Sequence, residues 1–308
     1  MTRFKVVHLT EYSYESPVTS SYGEVRLLPR QSVGQTCIDS GLFVEPNPTD
    51  TRERLDFWGN RVGYFHVDSQ HTELRIRAES TVDVDRPYDG LSNSGSPDGG
   101  FSVNGMAMSG PTLFNAVSQV ESLAGDARVE ADSYLLGSPR TSFDHVVRDY
   151  AARSLGFDGP VLERIGHLMS RIHQDFVFAP DATQVTSTVA DLFESGAGVC
   201  QDFAHLAVSS LRASGLPGRY VSGYLETDPP PGQAKLFGAD VSHAWASALI
   251  PELGWVDFDP TNDQFINDRY ITTAWGRDYG DVAPVAGVIY SDGGTTGLKV
   301  SVDVSRVG

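Results

Sequence analysis

The pattern of apolar and polar positions changes its period along the chain. Up to about residue 85, apolar residues recur at every second position. Leu74, Ile76 and Ala78 alternate with Arg75 and Arg77, Val82 and Val84 continue the phase, and Tyr12 and Tyr14 alternate with polar neighbours. Period two marks strands with one buried face. Leu55-Asp56-Phe57-Trp58 and the run Arg61 to Val67 flank Gly59-Asn60, which predicts a hairpin turning on that pair. No long helical pattern interrupts this stretch, so an antiparallel sandwich or open sheet is expected. Residues 86 to 110 read as irregular, with the breaker-rich run Asp89 to Gly100 as a mobile loop or linker.

The period then lengthens. Ser142 is placed to cap a helix with Val146, Val147 and Tyr150 as its apolar stripe. Pro160 opens a second, with Ile165, Leu168, Met169 and Ile172 at helical spacing. Asp191-Leu192-Phe193-Glu194 predicts a short helical turn halted by Ser195-Gly196. The best-defined helix starts at Cys200. Phe203, Leu206, Ala207, Ser210 and Leu211 form a single buried stripe, and Gly215 and Pro217 stop it. Cys200 lies one turn before Phe203, so its thiol is expected to face the domain interior.

Period two returns in Arg219 to Leu225, Ser242 to Ile250 and Gly254 to Asp259, with Asp228 to Gly232 as a rigid loop and Pro251 to Gly254 as a reversal. Leu298 to Val304 reads as a last strand, with the option of returning to the N-terminal sheet. The class is α+β. Residues 1–110 form an N-terminal antiparallel β-rich domain with its linker, 111–290 a core with the cysteine at a helix N-terminus packed on an antiparallel sheet, and 291–308 a C-terminal strand.

Composition narrows the partners. The 308 residues are 40% hydrophobic and 20% charged, enough for a sizeable core, and the net charge is −17. That balance disfavours nucleic acid and anionic membrane, which need a basic surface. It suits a neutral or cationic peptide, although acidity is also a common route to solubility. Two cysteines, Cys37 and Cys200, are no disulfide framework. Neither a signal-peptide core nor a membrane-length apolar run is present, so the expected setting is the reducing cytoplasm. The oligomeric state is left open.

Cys200 carries the chemistry. It ends the glycine-flanked run Gly196-Ala197-Gly198-Val199 and starts a helix, where free amides and the macrodipole favour an anion and can hold a developing oxyanion. His243, in Ser242-His243-Ala244-Trp245, and Asp259 lie on the two strands of one hairpin. A hairpin centred near residues 251 to 252 with an even register sum puts both on one face, directly opposite or one diagonal step apart. Asp257 shares that face and is the rival acid. His205 is the rival base, but it lies five residues along the helix and is turned well away from the thiol. Singly, a lone cysteine is usually an inert core thiol, a strand histidine a satisfied core residue, and an aspartate before proline a turn residue. Nucleophile, base and orienting acid in this order are the layout of a cysteine acyl-transfer enzyme. Zinc on Cys200, His205, His243 and Asp259 lacks the clustered ligand spacings of zinc sites, so no metal or cofactor is expected.

Three blocks carry a family resemblance: Gly198-Val199-Cys200-Gln201-Asp202-Phe203, Ser242-His243-Ala244-Trp245, and Gly254-Trp255-Val256-Asp257-Phe258-Asp259-Pro260-Thr261. Together they resemble the core of the transglutaminase-like superfamily, which is papain-like, and the N-terminal portion resembles the β-rich domain that precedes this core in many bacterial members. The resemblance implies Cys200 as nucleophile, His243 as base and acid, and Asp259 as the residue orienting His243. Asp259 is preferred over Asp257 because it falls on the Asp-Pro-Thr position. It also implies cysteine-dependent acyl transfer or hydrolysis of peptide or glutamine amides through a thioester, with a peptide or protein substrate. The alternative is a non-catalytic peptide-binding or scaffold protein on the same fold. Trp245, Trp255 and Gln201 are the substrate-binding candidates, the two tryptophans as channel walls or, equally, as sheet-packing core. The tryptophan that supplies an oxyanion donor upstream of the cysteine in animal transglutaminases has no counterpart between Trp58 and Trp245. Their C-terminal barrels and a dense acidic calcium loop are also missing.

Overall fold

A 24-residue strand, β1 (Thr2–Val25), is the spine of the N-terminal sheet. With β2 (Gln35–Glu45), β3 (Asp50–Leu55), β4 (Arg61–Val67) and β5 (His71–Val84) it gives the antiparallel order β2-β5-β1-β4-β3. The computed structural model describes residues 1–86, 91–93, 101–103, 106–108, 110–156, 159–180, 182–228, 238 and 240–307. In β5 the alternation is realised: Leu74, Ile76, Ala78, Val82 and Val84 are buried. The connection after β3 differs from a two-residue Gly-Asn turn. It runs from Asp56 to Asn60, because the Asp56 carboxylate accepts the backbone N–H groups of Trp58 and Asn60, each at 2.9 Å. Gly59, with φ of 72°, supplies the left-handed residue that closes it.

Residues 86–110 are not wholly irregular. β6 (Leu91–Asn93), β7 (Phe101–Val103) and β8 (Met106–Met108) pair as a small antiparallel sheet, and the rest of the expected loop lies outside the described residues, as does most of the run Asp228 to Gly232. Helices α1 (Leu113–Glu121), α2 (Gly125–Leu135), α3 (His145–Leu155) and α4 (Val161–Asp175) follow. The cap of α3 is Asp144, whose carboxylate accepts from the Val147 N–H at 3.0 Å, and not Ser142. Val146 is exposed, and the stripe of α3 runs through Val147, Tyr150 and Ala151 instead. α4 starts after Pro160 and buries Ile165, Leu168, Met169 and Ile172.

The site-bearing half is built from β9 (Val177–Phe178), α5 (Val189–Ser195), β10 (Ala197–Gly198), α6 (Cys200–Ala213), β11 (Gly218–Leu225), β12 (Val241–Ile250), β13 (Gly254–Asp259), β14 (Gln264–Phe265), β15 (Tyr270–Gly276) and α7 (Tyr279–Val282). The sheet order is β14-β13-β12-β11-β15, antiparallel throughout. α6 has more than one buried stripe: Gln201 through Arg212 are all buried. It lies between the sheet and helices α3 and α4, and Ala204, Ala207, Ser209 and Ser210 keep it thin enough to be enclosed.

β16 (Val285–Ser291) and β17 (Thr296–Arg306) then run antiparallel to β1, tying the C-terminus to the first strand. Phe4, Val6, Val82, Val84, Val302 and Val304 pack on Tyr224 and Ile271 of the second sheet. The free edge of β15 is capped by side chains from the N-terminal half. Gln35 donates to the Thr272 carbonyl and accepts the Thr272 N–H, both at 2.8 Å. Asn60 does the same to Trp275, at 2.8 and 2.9 Å. Two primary amides thus stand where a further strand would pair.

Candidate active site

The chain is pinned immediately before Cys200. Gly196, with φ of 66°, ends α5 in the left-handed conformation. β10 then pairs in parallel with β9. The Asp202 carboxylate reaches back to accept the Val199 N–H at 2.9 Å and the Thr183 hydroxyl at 2.6 Å. This carboxylate comes so close that a Cβ on Gly198 would sit 2.9 Å from both Asp202 Oδ2 and Leu192 Cδ1. The first amides of α6 to find a backbone acceptor are those of Asp202 and Phe203, both to the Val199 carbonyl. Among the described residues the N–H groups of Cys200 and Gln201 have no protein acceptor, as expected at a helix start. Cys200 itself is half-buried.

His243 meets Asp259 across the β12–β13 hairpin. The register Ala246 to Phe258, continued one step, sets Trp245 opposite Asp259 and His243 one diagonal step away. Nε2 of His243 lies 2.7 Å from Asp259 Oδ2. The same oxygen accepts from Asn262 Nδ2 and from the Tyr270 hydroxyl, both at 2.7 Å, while Oδ1 accepts the N–H groups of Thr261 at 2.8 Å and Asn262 at 3.3 Å. Gln264 Nε2 in turn donates to the Tyr270 oxygen at 2.7 Å. Asp259 is fully buried, and burial alone would raise its pKa. The charge of His243 and the donors from His243, Asn262 and Tyr270 outweigh burial and bring it below the usual carboxylate value.

Burial likewise works against a charged His243, but the Asp259 carboxylate and then the nearby Cys200 side chain push its pKa up to about 10. With Nε2 held by Asp259, Nδ1 is the ring nitrogen left for the sulfur. The arrangement is a thiol at a helix start, an imidazole that keeps its proton at neutral pH, and a buried carboxylate behind it. That set can deliver a nucleophile and a proton to opposite ends of one polarised bond.

The rival residues are placed elsewhere. Asp257 takes the Trp245 indole N–H at 3.4 Å and lies 3.5 Å from Arg219. His205 accepts the Tyr279 N–H on Nε2 at 3.1 Å, and burial takes its pKa down to about 3, so it stays neutral. Among the described residues no group of three or more His, Cys, Asp or Glu side chains is arranged to hold a metal.

The three substrate-binding candidates have separate surroundings. Strand alternation turns Trp245 into the core, fully buried against Tyr270, with its indole so near Gly223 that a Cβ there would lie 2.6 Å from it. Its indole supports the floor beneath His243 rather than walling a channel. Trp255 stands at the turn end of β13, donating to Glu130 at 3.2 Å, away from Asp259 and Cys200. Gln201 is buried and donates to the Val185 carbonyl at 3.3 Å, which holds the loop after β9. Sequence reasoning missed Asn262 and Tyr270. Asn262 had a local signal, since it follows Asp259-Pro260-Thr261 in a turn. Tyr270 had none, because its approach depends on β15 lying across the sheet from β13.

Two family models match the chain: the bacterial transglutaminase-like N-terminal region over residues 4–83 and the transglutaminase-like superfamily over residues 148–260. An uncharacterized protein of Mycobacterium tuberculosis is 40% identical over 307 residues, covering 98% of this chain and 92% of its own. One from Mycobacterium leprae is 34% identical over the full length of both chains. A solved structure of a candidate cysteine protease from Cytophaga hutchinsonii superposes with a TM-score of 0.72 at 21% identity, over 100% of this chain and 91% of that one, and shares the fold. No helix among the described residues is long and apolar enough to cross a membrane. The chain therefore belongs to the transglutaminase-like superfamily, in the form that carries the bacterial transglutaminase-like N-terminal region ahead of the core.

Proposed function

We propose that the protein is a cysteine-dependent amide hydrolase or acyltransferase that acts on peptide or glutamine amides through a thioester on Cys200. The reading rests on one observation: the buried imidazole of His243 pairs with the Asp259 carboxylate at 2.7 Å, and that carboxylate and the nearby Cys200 push its pKa up to about 10. The sulfur attacks the amide carbonyl carbon, and the electron pair moves to oxygen. The unpaired N–H groups of Cys200 and Gln201 are the donors at hand for that oxyanion. As the tetrahedral species collapses, the C–N bond breaks and His243 gives its proton from Nδ1 to the departing amine or ammonia. Neutral His243 then takes a proton from water, or from an incoming amine, as that group attacks the thioester. Sulfur leaves and the ring is recharged. Asp259 stays ionised throughout and fixes the ring orientation.

The choice of glutamine as one acyl donor draws on a partial likeness. A protein-glutamine gamma-glutamyltransferase of Pseudomonas aeruginosa is 35% identical over 92 residues, 29% of this chain and 14% of its own. The net charge of −17 favours neutral or cationic peptides over acidic ones.

The test is release of ammonia or peptide from glutamine-containing peptides, with and without a primary amine such as putrescine. Turnover is expected in the native chain and its loss in Cys200→Ala. Equal turnover in both proteins would reject Cys200 as nucleophile. Ammonia release that needs no amine marks hydrolysis, and amine incorporation marks transfer.

A further inference from the structure

The seam between the two halves encloses a cavity of about 440 Å³, a size typical of small-molecule sites. Val33 and Arg86 line it from the N-terminal half, and Arg219, Trp255, Asp257 and Trp275 from the sheet. Three arginines gather here although the chain as a whole is strongly acidic. Arg30, Arg86 and Arg219 are only 7%, 9% and 5% exposed. The Arg219 guanidinium is sandwiched between two indoles, 3.7 Å from the ring centroid of Trp275 and 4.3 Å from that of Trp255. Arg30 covers the Trp275 ring at 3.2 Å.

These cations are short of counter-charge. Among the described residues no carboxylate lies within 4.0 Å of Arg30 or Arg86. Arg86 spends its donors on neutral oxygens: the Tyr270 carbonyl at 2.7 Å, Thr272 Oγ1 at 3.1 Å and Gln35 Oε1 at 3.3 Å. Arg219 has Asp257 at 3.5 Å. Glu130, the other acid on the cavity wall, is exposed and occupied by the Trp255 indole. Nε of all three arginines lacks a partner, and so does Oδ1 of Asp257. Burial first, and then repulsion from Arg219, lowers the pKa of Arg30 to about 10; burial also lowers that of Arg86, against the opposing pull of Asp257. A buried cation without an acceptor is costly, so a wall of this kind is suited to an anion.

We propose that this cavity binds the α-carboxylate of an amino-acid residue, with Arg86 and Arg219 holding the carboxylate and Leu253, Trp255 and Ile266 packing an apolar side chain. On the cavity wall Arg86 and Arg219 face Asp257 and the exposed Glu130, a balance that suits a monoanion better than a phosphate dianion. The planar edge of a guanidinium sandwiched between rings is left free for the fork-to-fork pairing that carboxylates make. Oδ1 of Asp257, which lies 3.5 Å from Arg219 and makes no hydrogen bond, supplies the acceptor for the N–H next to an α-carboxylate, whether that is the ammonium of a free amino acid or the amide of a peptide C-terminus. The site is separate from Cys200 and does not depend on the chemistry assigned there.

The full chain is titrated with N-acetyl-L-leucine, L-leucine, L-leucinamide and inorganic phosphate, following tryptophan fluorescence and thermal unfolding. A saturable response to at least one of the two carboxylates, absent with leucinamide, is expected. Tighter binding of leucine than of N-acetyl-leucine assigns the site to free amino acids, and the reverse order to peptide C-termini. Arg86→Gln should weaken binding by about tenfold or more. Val33→Trp, at an 82% exposed position on the cavity wall, should block it without disturbing the fold. No saturable response to either carboxylate, an equal response to leucinamide, tighter binding of phosphate, or indifference to Val33→Trp would each overturn the proposal, and Val33→Trp decides even if Arg86→Gln fails to fold.

Discussion

At Asp259 five donors converge on one buried carboxylate: the His243 ring, the Asn262 amide, the Tyr270 hydroxyl, and the backbone N–H groups of Thr261 and Asn262. That convergence keeps the group ionised without water and makes it the counter-charge for His243. Asp259→Asn removes the charge and keeps the shape. The His243 pKa should then fall from about 10, because burial is no longer opposed by the carboxylate. NMR titration of the ring measures it, and an unchanged titration would mean that Asp259 does not set the charge of the imidazole. On the proposed mechanism kcat should drop by about 10³ to 10⁴ in the same variant. Tyr270→Phe removes one donor of five and should lower the His243 pKa less than a lost charge does. The pairing of His243 with Asp259 was legible in the sequence because a short reversal and strict alternation leave only one register that buries Ala246, Val256 and Phe258 on the opposite face. The same alternation pointed Trp245 inward, and the Tyr270 ring that packs edge-on against it, distant in sequence, left no such signal.

At the level of elements, the start of α6 matters most. Gly196, Gly198 and the Asp202 carboxylate leave the backbone before Cys200 no alternative path. Gly198→Ala would press a methyl group against Asp202 and Leu192. It should cost about 1–3 kcal/mol and shift the helix start, so activity should fall more than stability explains. Denaturant midpoints set beside kcat check this, and a stable, fully active variant would remove the positioning role. The helix itself was legible from its apolar spacing, glycine entry and Gly215 exit. Its all-round burial was not, since His205, Ser209 and Arg212 read as polar until the sheet and helices α3 and α4 enclose the helix. The caps follow the same logic. Asp144 displaces Ser142 at α3 because its carboxylate, two residues further on, sits at the right distance from the Val147 amide. In the turn after β3 the Asp56 carboxylate competes successfully with a two-residue hairpin turn.

On the scale of the whole molecule, the N-terminal sheet is a structural partner of the core. Asn60 is fully buried and satisfies both backbone groups of Trp275. Asn60→Leu strands them, at a cost of about 3 kcal/mol in unfolding free energy. A urea midpoint equal to that of the native chain would show that the edge capping contributes nothing. Three histidines shape the pH response. His8 and His205 are buried neutral, with pKa values down to about 4 and about 3 from 6.5, so the unfolded chain binds protons that the folded chain refuses and stability falls as pH drops below 6.5. His243 acts in the opposite sense. Its pKa goes up from 6.5 to about 10, so its contribution is complete below 6.5 and is lost as pH rises through 10. Stability should therefore peak near pH 6.5, and denaturation at pH 5, 6.5 and 9 measures it; a steady rise from 5 to 9 would contradict the burial of these rings. The α+β class and the β-rich start were legible because period two and helical spacing separate cleanly along the chain. The side-chain amides on the β15 edge were not, since Gln35 and Asn60 meet β15 from more than 200 positions away. The proposed chemistry centres on one sulfur atom. The most direct measurement is mass spectrometry of the intact protein after brief exposure to a glutamine peptide, followed by mapping of the adduct. An acyl group on Cys200, labile to hydroxylamine and missing from Cys200→Ala, is predicted, with slower formation in His243→Ala. An adduct on another residue, or turnover proceeding with no adduct on Cys200 under any quench, would contradict thioester catalysis at this site.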